Sequence, residues 1–161
     1  MKKKTAYLGM FTTLALIAGY VEAMIPFDFG IPGIKLGLPN LIIVIVLYRM
    51  GVKDAFVVSV LRIVLSGFLF GNVFAIVYSL SGGLLSLFLM TFLRKTKKFS
   101  IMSVSIVGGI SHNLGQVLMA VCLLENINIM LYFPALMAAG AVTGLLIGIG
   151  SREVLKRLPI L

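Results

Sequence analysis

Six long apolar runs, separated by short stretches rich in Gly, Pro or charge, set the pattern of this chain. They span about Thr5 to Ile25, Leu36 to Tyr48, Ala55 to Phe70, Val73 to Leu93, Phe99 to Leu124 and Asn128 to Gly150. A helix needs about 20 mostly apolar residues to cross the roughly 30 Å hydrocarbon layer, so six crossings use about 120 residues and leave about 40 for connections. The pattern predicts an all-α integral membrane bundle of six transmembrane helices, forming one domain over residues 1–161. The second run is short. At 1.5 Å per residue it reaches only about 20 Å, so it could also dip in and return. The first run follows a Lys triplet as a secretion signal would, but no small-residue cleavage site ends it and five runs follow, so it is expected to stay as the first helix.

Composition sharpens this. The chain is 60% hydrophobic and 12% charged, against about 45–50% and about 25% in soluble domains. No separate soluble catalytic domain fits, and Cys122, the single cysteine, excludes an internal disulfide framework.

The net charge of +9 would suggest nucleic acid in a soluble protein, but here position decides. Twelve of the fourteen positives (Lys2, Lys3, Lys4, Arg49, Lys53, Arg94, Lys95, Lys97, Lys98, Arg152, Lys156 and Arg157) fall on one side if all six runs cross and both termini are cytoplasmic. Lys35 then lies outside and Arg62 within a span. Were the second run not to cross, Arg49, Lys53 and the two later clusters would move outside, against the positive-inside rule. Six crossings with cytoplasmic termini in a cell membrane, and no nucleic-acid partner, is the expected arrangement.

The outer connection from Pro26 to Lys35, read on to Asn40, is PFDFGIPGIKLGLPN. Its prolines and glycines forbid continuous helix. Being apolar, it should lie against the protein, either as a stiff connector or as a lid over a site.

Several residues are costly at membrane depth. Arg62 sits mid-span, where a guanidinium costs about 2.5–3.5 kcal/mol on insertion scales. Two offsets are open: an ion pair with Glu22 near the outer end of the first helix, or an anionic ligand suited to the planar five-donor fork. In the fifth run Ser105, Gly108, Gly109, His112, Gln116 and Met119 recur at three- and four-residue steps on one face, with Asn113 beside them. Close helix packing explains the glycines; His112, Asn113 and Gln116 together point to a ligand-facing wall. A metal site is not expected, since His112 has no Cys or carboxylate beside it in the span. Gly140, Gly144 and Gly148 let the last helix pack closely, and Ala15 and Gly19 on the first could serve packing or a partner helix.

No paired aspartates of the diphosphate-binding type, no catalytic triad and no Walker loop occur. Neither an enzyme, nor a resident cofactor, nor an ATP-driven pump acting alone is expected. Lys35, Arg62 and His112 favour an anionic or phosphorylated, vitamin-like small molecule as ligand.

The segments YVEAMIPFDFGIPGIKLGLPNLI, LYRMGVKDAFVVSVLRIVLSGFLFG, SLSGGLLSLFLM and VSIVGGISHNLGQVLMA together resemble the Gx transporter family, also named heptaprenyl diphosphate synthase component I. The resemblance covers nearly the whole chain. It implies a relative of the substrate-binding S components of energy-coupling factor transporters: six helices, an outer loop closing the site, and small residues on the first helix, here Ala15 and Gly19, docking on a transmembrane coupling subunit that works with ATPases. The family's other name implies a noncatalytic membrane subunit associated with heptaprenyl diphosphate or quinone synthesis, because chain-elongating synthases hold Mg²⁺ on clustered aspartates that this chain lacks.

Overall fold

The computed structural model describes residues 2–25 and 36–158. Within them the chain forms six α-helices and no strand: α1 Lys2–Met24, α2 Leu38–Arg49, α3 Val52–Phe70, α4 Val73–Thr96, α5 Ile101–Leu124 and α6 Phe133–Arg157. The expected runs each hold a helix, with shifted ends. The sixth differs most: residues Ile127–Tyr132 wind as a 3₁₀ turn, α6 starts only at Phe133 with Pro134 in its first turn, and it continues past Gly150 to Arg157. Proline fits there because the first helical N–H groups have no partner within the helix.

The ends are set locally. The Asn72 side chain accepts from Ala75 N at 2.8 Å and that of Ser100 from Ser103 N at 3.1 Å, capping α4 and α5. Lys97 and Glu125, with φ of 56° and 50°, stop α4 and α5 in the left-handed conformation.

Four stretches, Lys3–Met24, Val73–Thr96, Ile101–Leu124 and Ile127–Arg157, are long and apolar enough to cross a membrane. α3 is long but carries Lys53, Asp54 and Arg62. α2, with 12 residues, is about 18 Å long.

α1 packs on α2 and α3, α3 on α4, α4 on α5, α5 on α6, and α6 back on α2, which also meets α3. α2 therefore closes the ring, between α6 on one side and α1 and α3 on the other. Five consecutive residues, Ile43 to Leu47, are all buried; at 100° per residue they cover every side of the helix, as only an enclosed helix allows. Around them pack Phe11, Ala15, Ala55, Val58, Leu87, Met90 and Val104.

The α5–α6 seam is built of backbone. A Cβ on Gly144 would lie 2.7 Å from Ser105 O, one on Gly148 2.7 Å from Met102 Cα, and one on Gly140 2.8 Å from Gly109 O. Each position therefore requires glycine.

At one end the basic clusters stitch the helices. Lys4 Nζ lies 2.9 Å from Asp54 Oδ1, joining α1 to α3. Arg49 Nη2 donates to the carbonyls of Leu155 and Leu158, closing the C-terminus of α6. Arg94 lies over the Tyr48 ring, 5.2 Å from its centroid, a cation–π contact between α4 and α2.

A polar cavity at the end opposite the basic clusters

α2 is too short to fill the ring along its whole length. Beyond its first turn the helices surround an open-mouthed cavity of about 410 Å³, at the end away from Lys4, Arg49 and Arg94. The first turn of α2 (Gly37, Pro39, Asn40), the later turns of α1, α3 and α5, the start of α4, and Thr143 and Ile147 of α6 line it. Its width follows from residue size: Gly19, Ala23, Ser66, Gly67, Ala75 and Gly109 line it with almost no side-chain volume.

Arg62, on α3, faces this space and donates from Nη2 to Asn40 Oδ1 at 3.0 Å. Its Nε is buried without a hydrogen-bond partner among the described residues. Glu22 does not take up this guanidinium, and the ion pair weighed for the two is not the arrangement found. Both carboxylate oxygens are engaged elsewhere, Oε1 accepting from Gly37 N at 2.7 Å and Oε2 from Leu38 N at 3.1 Å. The reason is local: the start of α2 has unsatisfied N–H groups and a partial positive charge, which a carboxylate satisfies in both respects. Gly37, at φ 75°, turns the chain into position for this, a conformation that suits glycine.

The expected wall on α5 divides. Gly109, His112, Asn113 and Gln116 line the cavity, while Ser105 and Gly108 face neighbouring helices, the Gly108 carbonyl accepting from Ser86 Oγ at 2.8 Å. Asn113 Nδ2 donates to Leu136 O at 2.6 Å, so its amide also ties α5 to α6. Gln116 is only 7% exposed. Arg62, His112, Asn113, Gln116 and Glu22, singled out from three separate stretches of sequence, thus meet around one space. Lys35 and the Pro26 to Lys35 connection lie outside the described residues.

Ala15 and Gly19 are a correction. Ala15 is fully buried, and a Cβ on Gly19 would meet Pro39 Cγ at 3.3 Å. Both serve the approach of α1 to the bundle, because small residues face the neighbour they admit; the exposed side of α1 carries Met10, Leu14, Ile17, Val21 and Met24 instead.

Asn40, Ser66, Ser79 and Thr143 also line the cavity and were not singled out in the sequence. Ser66 stands four residues after Arg62, hence on the same helix face, a signal that was available. Asn40 carried none, since only the fold brings the first turn of α2 against α3.

No curated protein and no solved structure matches this chain. Its residues 11–154, however, match the family model of heptaprenyl diphosphate synthase component I, and the chain belongs to that family.

Proposed function

We propose that the protein is a membrane-embedded binding subunit, the S component of an energy-coupling factor type transporter, that takes up a small molecule through this cavity. The single observation carrying the reading is the open-mouthed cavity of about 410 Å³ with Arg62, Asn40, His112 and Gln116 on its walls. It lies within the roughly 300–1,000 Å³ of small-molecule sites and has their mix of apolar lining and few convergent polar groups. In this reading all six helices span the cell membrane, the basic end and both termini are cytoplasmic, and the cavity opens outward. The chain itself has no catalytic role, and energy comes from a coupling subunit and ATPases in trans.

The family's name supports a second reading, a noncatalytic membrane subunit of a heptaprenyl diphosphate synthase complex. Gentle purification separates the two. Copurifying ATPases with a retained water-soluble molecule support the transporter; a copurifying soluble prenyl synthase overturns it in favour of the second. The orientation is tested by single cysteines at positions 96 and 125 in a variant lacking Cys122. Labelling from opposite sides is expected, and labelling from one side would overturn the topology.

A further inference from the structure

Resting on a ligand-binding role for the cavity, we propose that the ligand carries an oxyanion, a carboxylate or phosphate group, seated on Arg62. The charges around the cavity lead there. Besides His112, the ionisable lining residues among the described residues are Glu22 and Arg62. Glu22 is matched already, with both oxygens on backbone N–H groups at the positive end of α2. It is the anion of a helix terminus; it acts on the Arg62 charge through space, but among the described residues no carboxylate touches the guanidinium.

Arg62 has five N–H donors. Its hydrogen bond runs to a neutral amide oxygen, that of Asn40, and its Nε is buried and without a partner among the described residues. A neutral carbonyl would occupy a donor and add no compensation to a charge at a depth where charge is costly. An oxyanion does both, in the geometry the guanidinium fork favours. A cationic ligand would be repelled. Asn40 fixes the guanidinium from the floor of the cavity, while Gln116 and Thr143 offer amide and hydroxyl groups to the rest of the molecule. The volume limits that molecule to one of modest size.

The test uses the purified full chain in detergent, with inorganic phosphate, benzoate and benzamide as probes at millimolar concentration. Thermal stabilisation by benzoate or phosphate is expected, with benzamide, isosteric but uncharged, about tenfold weaker than the better anion. A response to benzoate alone assigns a carboxylate, and one to phosphate alone a phosphate. Arg62→Gln should abolish the anion response. Arg62→Lys, which keeps the charge but not the fork, should weaken it about tenfold and guards against a folding defect in the first variant. Benzamide binding as well as the anions, an anion response surviving Arg62→Gln, or no response to either anion would overturn the oxyanion. Failure of ATPases to copurify while the anion response holds would overturn the transporter reading and leave this assignment standing.

Discussion

The two ends of this bundle are built from the same six helices and behave as opposites. At the basic end the ring is full: Ile43 to Leu47 of α2 are all buried among apolar side chains of the other helices, with Thr12, Asp54 and Ser151 buried there too. At the other end α2 is spent, glycines and alanines line the walls, and an arginine, a histidine and amides face a hollow. The difference teaches that here a cavity is a deficit of side-chain volume around a helix that stops early. The polar groups that face it are tolerated because they face a shared space and each other.

If that division is right, mutations at the two ends should affect different measurements. The largest loss is expected from Gly148→Leu at the basic end, where the new side chain would meet Met102 Cα, backbone that cannot move aside. Destabilisation should reach or exceed the roughly 1–3 kcal/mol of ordinary overpacking, read as a fall in the denaturation midpoint. Leu47→Ala should follow at about 2 kcal/mol, the low end of the range for Leu→Ala, since lipid is as apolar as the site the side chain leaves; ligand affinity should stay unchanged. A loss of affinity equal to the loss of stability would break the comparison.

At the cavity end the signature reverses. Gln116→Ala should weaken ligand binding by about 0.5–1.5 kcal/mol, the net worth of a hydrogen bond, with little change in melting temperature, by titration of the retained molecule. A melting loss without an affinity loss would return Gln116 to the packing core. The smallest effect is expected for Asp54→Asn. It removes the Lys4 ion pair, in which the lysine side chain is 59% exposed and the aspartate only 9%; solvent around the lysine keeps such a pair near the about 0–1 kcal/mol of exposed ones. A larger destabilisation would make that stitch a principal tie of α1 to α3.

Glu22 shows where reading a sequence reaches its limit. A lone carboxylate near membrane depth and a lone arginine at mid-span suggest each other as partners, and nothing in one dimension offers a better pairing. The fold brings the Glu22 side chain to the first turn of α2 instead, where Gly37 and Leu38 present two N–H groups. Ala15 and Gly19 show the same limit. Their size says that something approaches α1 closely, while the direction they face decides whether that is a neighbour in the bundle or another protein.

The sequence by itself determined a helical chain with stretches long and apolar enough to cross a membrane. Apolar run lengths, prolines, glycines and caps act over a few residues and need no knowledge of the rest. It also marked Arg62, His112, Asn113 and Gln116, since polar side chains within apolar helices are costly wherever the helices pack. Only the tertiary structure decided that these four share one cavity, that Asn40 rather than Glu22 holds the guanidinium, and that the small residues of α1 face inward. Those outcomes depend on which faces meet across the ring and how far α2 reaches into it. They are set by packing between residues distant in sequence, where local propensity carries no information.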